Sequence, residues 1–212
     1  MPDEEQKPAR PNARTRLLDV AMVVIRRKGF AATSIDDLCR AAGVTKGAFF
    51  HHFASKQELG VAAADHWSET TSALFADAPY HRHADSRDRV LGYLDFRRSL
   101  IAGETSAFTC LVGTMVQETH ESSPAIRDAC RNSIFDHSKV VEADIAAAME
   151  VTGTVPGWTA SSLALHFQAV LQGAFVLAKA GNDPEVALQS LDHLRRYVAL
   201  LFDRSPGKGT EE

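Results

Sequence analysis

The chain has 212 residues, 45% of them hydrophobic, and a formal net charge of -4, enough apolar material for a large single domain or for a small domain fused to a medium one. Its first dozen residues mix charges with three prolines and contain no apolar stretch, which argues against a signal peptide or a membrane anchor. No uncharged apolar run approaches the roughly 18 residues of a bilayer span. Cys39, Cys110 and Cys130 are too few and too scattered for a disulfide framework, so the cytoplasm is the expected compartment. The charge is unevenly distributed, with a net +3 over residues 1–60 and -7 over residues 61–212. The basic end suits an anionic partner.

Apolar residues recur at helical spacing nearly throughout, and strict alternation never lasts a strand's length, which predicts an all-α protein of about nine helices. A disordered leader is expected over residues 1–12. A first helix is predicted from Ala13 to Lys28, with Leu17, Leu18, Ala21, Val24 and Ile25 on one face and Gly29 closing it. Thr33 or Ser34 can cap a second helix whose first turn holds Asp36 and Asp37, acids that complement the positive end of the helix dipole. Ser55 and Glu58 form a capping box opening a long helix to the turn at Asp77-Ala78-Pro79. Helices are predicted from Ser86 to Ala102 and from Ala107 to Glu121. Ser123-Pro124 and Asp183-Pro184 start helices of about 25 and about 20 residues. Between them a loop, Gly153 to Gly157, precedes a strongly apolar helix from Trp158 to Ala180. The expected division is a DNA-binding head over 13–59, a helical body over 60–205 and a disordered tail over 206–212.

The informative stretch is TSIDDLCRAAGVTKGAFFHHFASKQEL, residues 33–59. Ile35, Leu38, Cys39 and Ala42 make one inward stripe on a helix of about two turns, and Gly43 supplies the left-handed residue of a tight corner. In the next short helix Ala48 and Phe49 face inward, with Phe53 one turn on. Lys46, Gly47, Phe50 and His51 are left on the opposite face, a set suited to close approach in a major groove. Lys56 stands in the first turn of its helix, where a cation opposes the dipole. A phosphate bound there would reverse that sign.

In this stretch the chain resembles the tetracycline-repressor (TetR) family of bacterial regulators. Thr33, Ser34, Ile35, Leu38, Ala42, Gly43, Val44, Thr45, Gly47, Phe49, His52, Phe53, Ser55, Lys56 and Leu59 match its signature in place. The resemblance implies that Thr33, with Ser34 beside it, His52 and Lys56 contact phosphates. It also implies that Thr45, Lys46, Gly47, Phe50 and His51 approach bases or backbone. Phe50 stands where the family usually has tyrosine, which removes a hydroxyl contact, and Cys39 replaces a small inward alanine.

The helix from Trp158 to Ala180 and the last helix are apolar beyond a single stripe, so burial on two sides is expected. By the resemblance these two helices pair with their copies in a homodimer, through residues such as Leu163, Val170, Phe175, Leu191, Leu194 and Val198. A two-fold dimer reads a near-palindromic double-stranded operator. The resemblance also implies an effector pocket among the middle helices, with Trp67, Tyr93, Phe96, Phe108, Cys110, Met115, Phe135 and Phe167 as candidate lining beside Phe75. Some TetR-like regulators with a Cys-Leu sequence near this position sense electrophiles or oxidants, which makes Cys110 a candidate sensor, with a buried inert thiol as the alternative. His81 and His83 lack the further ligands of a metal site, and no catalytic constellation or phosphate loop is present. The expectation is a ligand-responsive DNA-binding regulator without cofactor, metal or membrane. A helical thiol enzyme using Cys110 and a protein-binding helical module are the alternatives.

Overall fold

The computed structural model describes residues 12–153 and 157–202. The expected leader up to residue 11, the tail 206–212 and the middle of the Gly153 to Gly157 loop lie outside the described residues. Those residues form ten α-helices, one 3-10 turn and no strand. Helices α1 (Ala13–Lys28), α2 (Ile35–Ala42) and α3 (Lys46–His52) make the head, and α4 (Lys56–Ala76) leaves it for the body. A 3-10 turn over Pro79–Arg82 follows, then α5 (Ser86–Ser99), α6 (Thr105–Phe108), α7 (Leu111–Thr119), α8 (Pro124–Thr152), α9 (Ala160–Gly181) and α10 (Glu185–Phe202).

Local chemistry explains the boundaries. Asn12, Ser34, Thr45, Ser55 and Thr159 each cap a helix N-terminus with a side-chain oxygen. Ser34 and Asp37 form a reciprocal capping box. Gly43 closes α2 at φ 63, in the left-handed region. The predicted helix from Ala107 to Glu121 divides instead into α6 and α7. Thr109 and Cys110 are extended between them, at ψ 158 and ψ 125, and the Cys110 sulfur caps α7 by accepting from the Gly113 N–H at 3.4 Å.

The head core is not sealed from the body. Leu17, Leu18, Ile25, Leu38, Phe49 and Phe53 pack in one cluster with Leu59 and Ala63 of α4, Leu111 and Met115 of α7, and Ile126 of α8. Gly60 is required where α4 crosses this junction, because a Cβ there would lie 2.8 Å from the Phe30 ring and 2.9 Å from Ile126. A second cluster joins α5, α8, α9 and α10 around Tyr93, Leu94, Ile145, Phe167 and Val198. Helix α9 is, among the described residues, the one helix long and apolar enough to cross a membrane by length and composition. It packs between α8 and α10 and buries Leu163, Ala164, Phe167, Leu171, Ala174, Phe175 and Ala178 as a core helix of the body.

Candidate functional site

Helix α3 presents one open face. Thr45, Lys46, Gly47, Phe50 and His51 are all exposed, while Phe49 is fully buried behind them. Phe50 is 54% exposed, an aromatic ring set edge-on to Phe49 with centroids 5.3 Å apart. It is a surface residue, as the outward-face reading expected. A Cβ at Gly47 would meet only Thr45 Oγ1, at 3.8 Å, so the front of the helix is open to close approach. The Lys46 ammonium pairs with Asp36 at 2.8 Å on the exposed surface, which holds its pKa above the ordinary lysine value. His51 and His52 stack edge-on at 4.9 Å, with His52 half-buried.

Two residues expected at phosphates have another visible role. Thr33 is 1% exposed and its hydroxyl donates to the Gly29 carbonyl at 2.6 Å, so the hydroxyl is engaged within the head. The Lys56 ammonium donates to the carbonyls of Phe30 (3.0 Å), Ala31 (3.3 Å) and Thr33 (2.9 Å) and lies 4.6 Å from the Phe30 ring centroid. Its three N–H groups are therefore taken up by the turn between α1 and α2. The cation in the first turn of α4 is explained by these carbonyls without a phosphate. Ser34 is exposed, but its hydroxyl is engaged with Asp37. The Lys28 ammonium, bonded to Asp37 at 2.8 Å, and the Ser34 cap hold that carboxyl far below the ordinary carboxylate range.

The body contains a cavity of about 410 Å³ between α1, α4, α5, α6 and α9, within the size range of small-molecule sites. Trp67, Thr71, Arg97, Phe108 and Phe175 also wall a smaller adjoining space of about 50 Å³, which reaches Cys110, His137 and Gln168. Of the expected lining, Trp67, Phe75 and Phe108 border the main cavity and Cys110 the adjoining one. Tyr93, Met115 and Phe167 are instead solid core, each at 0% exposure. Phe135 points outward at 43% exposure, and Phe96 packs half-buried against Phe75 at 5.2 Å. Sequence reasoning missed Arg26 and Arg97. Arg97 nevertheless continues the inward stripe Val90, Tyr93, Leu94 at the next helical position, a signal that an apolar-only search passes over.

Cys110 also borders a second hollow of about 220 Å³ with Gly113, Thr114, Glu118, Gln172 and Lys179. A Cβ at Gly113 would displace the Gln172 amide that packs against it. Burial lowers the pKa of both Lys179 and Arg26, and the charge of Cys110 opposes that effect in each, so both cations lie within electrostatic reach of the sulfur. Neither is near Cys110 in sequence. Desolvation pushes the buried thiols of Cys39 and Cys130 up, Cys130 to about 12.

The residues expected to dimerise mostly face inward. Leu163, Phe175, Leu191, Leu194 and Val198 are between 0% and 7% exposed within the chain's own core, and Val170 is half-buried. A side chain packed inside its own subunit has little surface left to offer a partner. The apolar groups that α9 and α10 leave open are Val176, Leu177, Tyr197 and Leu200, at 46% to 69% exposure. Gly173 lies among them with nothing within 4 Å of its Cβ position.

A capped three-helix head with an open third helix, joined to an all-helical body, defines a helix-turn-helix DNA-binding regulator. The family profile for bacterial regulatory proteins of the tetR family matches residues 17–63, and the profile for the LmrA/YxaF-like transcriptional regulator C-terminal domain matches residues 88–192. The chain belongs to the TetR family. An uncharacterized HTH-type transcriptional regulator of Mycobacterium tuberculosis is 25% identical over 195 residues, 89% of this chain and 93% of the relative. The HTH-type transcriptional repressor KstR2 of Rhodococcus jostii is 34% identical over 58 residues, and the match spans 28% of that protein. Among solved structures, Escherichia coli NemR in its reduced form superimposes with a TM-score of 0.74 at 21% identity, over 87% of this chain and 95% of that one. A cysteine mutant of the TetR-family regulator CifR, bound to a 26 bp double-strand operator, gives 0.72 at 21% identity over 89% and 98%. The family and these relatives are transcriptional regulators, not enzymes, and family members bind operator DNA as dimers.

Proposed function

We propose that this regulator is a homodimeric repressor that leaves a near-palindromic operator when a small molecule fills the cavity of the body. One observation carries the reading: Met22 and Arg26 of head helix α1 form part of the cavity wall, so an occupant touches the DNA-reading unit directly. In this reading the head spans 13–59 and the body 60–205, in a cytoplasmic protein. Thr45, Lys46, Gly47, Phe50 and His51 approach bases and backbone in the major groove, with His52 toward the backbone. The open faces of α9 and α10 pair two subunits around a two-fold axis, which sets the half-sites about one helical turn apart. Selecting bound fragments from random DNA tests this. A two-fold symmetric consensus bound by one dimer is expected; binding without sequence preference, or by a monomer, would overturn it.

A second reading is release by a thiol-reactive electrophile at Cys110, which substitutes for or adds to the cavity ligand. Its supporting observations are the half-buried sulfur at the N-terminus of α7, the hollow beside it, and Arg26 and Lys179 within reach. Similarity to NemR, whose solved form is described as reduced, points the same way. Retention of electrophile-driven release in Cys110→Ser would discard this route.

A further inference from the structure

The main cavity is apolar but not electrically neutral. Among the described residues its lining holds Arg26 and Arg97 and no aspartate or glutamate. On α5, Arg87 pairs with Asp85, Arg89 with Asp144 and Arg98 with Asp192, at 3.2, 2.6 and 2.8 Å. Arg97, half-buried on the same helix, has no carboxylate within salt-bridge distance among the described residues and rests on the Phe75 ring at 5.2 Å. Arg26 is also half-buried, with its guanidinium over Trp67 at 5.1 Å.

A cation withdrawn from water costs free energy unless a counter-charge or strong acceptors compensate it. Arg26 finds backbone carbonyls at Ala107 and Thr109. For Arg97 the structure shows only a ring face. Its field extends inward, where it joins burial in depressing the pKa of His137 to about 3. Gln168, 6% exposed, lines the smaller adjoining space beside Arg97, and its amide hydrogen-bonds the Tyr93 hydroxyl. A guanidinium fork with no counter-charge beside an apolar chamber matches a carboxylate on an apolar body.

We infer that the effector is an amphipathic carboxylate, an aryl or medium-chain alkyl acid, whose anionic group binds Arg97 and whose body lies against Leu74, Phe75, Leu100, Ile101 and Phe108. This deepens the cavity reading of the proposed function and rests on it. The size of the chamber suits such a molecule, and the missing negative charge is supplied by the ligand. Because a neutral ligand would leave Arg97 uncompensated, acids are distinguished from their neutral isosteres by charge alone.

The test compares naphthoate and decanoate with naphthamide and decanamide on the full chain, by calorimetric titration, alongside a neutral apolar dye read by Trp67 fluorescence. At least one acid is expected to bind about tenfold or more tightly than its amide, the equivalent of 1.4 kcal/mol. Arg97→Gln should abolish that preference while leaving amide binding in place, and Arg97→Lys should keep part of it. The acid-to-amide ratio is an internal control, since retained amide binding reports an intact cavity in each variant. Equal binding of acid and amide, an acid preference that survives Arg97→Gln, or failure of both acids to bind would overturn the inference. If the neutral dye still binds and weakens operator affinity in that case, the cavity reading stands and only the ligand class is wrong. If nothing binds, both fall.

Discussion

Arg26 on α1 donates from Nη1 to the carbonyl oxygen of Ala107 at 2.7 Å, so a side chain of the DNA-reading head is tied to the segment that walls the cavity. The same guanidinium reaches the Thr109 carbonyl at 3.5 Å, one residue before Cys110. A second tie lies at the far end of α7, where the Glu118 carboxylate accepts from the Ala31 N–H at 2.6 Å. Both contacts cross between head and body, and both begin on elements that border a cavity. A ligand that favours one placement of α6 and α7 can therefore bias the tilt of the head.

Arg26→Met should uncouple the two functions. The methionine preserves apolar packing on Trp67 but cannot donate to Ala107 or Thr109. We expect operator binding to persist and its response to a cavity ligand to fall by about 0.5–2 kcal/mol of coupling. Fluorescence anisotropy of labelled operator, with and without a ligand found by thermal-shift screening, measures this. An unchanged response would show that the Arg26 contact carries no signal.

Lys46 and Lys56 should separate in salt titrations. Lys46 is exposed on the open face of α3, so Lys46→Ala is expected to flatten the dependence of log affinity on log salt by about one unit per subunit. Lys56→Ala should leave that slope unchanged and instead lower stability by about 1–3 kcal/mol, because buried carbonyls lose their donor. The opposite assignment of slope and stability would restore the phosphate role to Lys56.

Alkylation should single out one cysteine. Cys39 and Cys130 are 5% and 0% exposed, with thiols pushed up by burial, whereas Cys110 is half-buried beside a hollow and two cations. Peptide mapping after brief N-ethylmaleimide treatment of the native protein is expected to find Cys110 modified about tenfold or more faster than the others. Comparable rates at all three would remove the basis for an electrophile sensor.

Much of the head was legible because its evidence is local. Ser34 and Ser55 cap the helices their positions suggested, Gly43 turns the corner in the left-handed region, and the open face of α3 follows from helical phase alone. What the sequence concealed depends on contacts across long separations. Lys56 looked like an uncompensated cation because its acceptors lie on a turn more than twenty positions earlier. Cys110 seemed to lack basic neighbours because Arg26 and Lys179 come from helices far away along the chain. Helices α9 and α10 are wide-striped, and composition could not tell the side packed on α5 and α8 from the side left open. Leu163 and Val198, expected at a subunit interface, pack into the chain's own core. The break at Thr109 and Cys110 carried no proline or glycine signal, and the thiol cap that makes it is a weak acceptor.

Acid sensitivity should trace partly to His137. Burial, with Arg97 adding to it, lowers this imidazole from 6.5 to about 3, and its Nε2 shares a 3.1 Å hydrogen bond with the Tyr93 hydroxyl. Between those pH values the unfolded chain binds a proton that the folded protein does not. Stability therefore falls as pH drops through that window, and His137 contributes no slope above it. Urea midpoints at pH 7 and pH 5 should converge in His137→Gln relative to the parent, removing about 1 kcal/mol per pH unit. An identical pH dependence in both proteins would contradict this.

The most direct test of the link between cavity and head is operator affinity measured with and without saturating cavity ligand, paired with ligand affinity measured with and without operator. A ligand that weakens operator binding by about 5- to 150-fold, with the operator weakening ligand binding by the same factor, is the expected result. A ligand that occupies the cavity, lost on substitution of Arg97, while operator affinity stays unchanged would contradict the claim that the cavity controls the DNA-reading head.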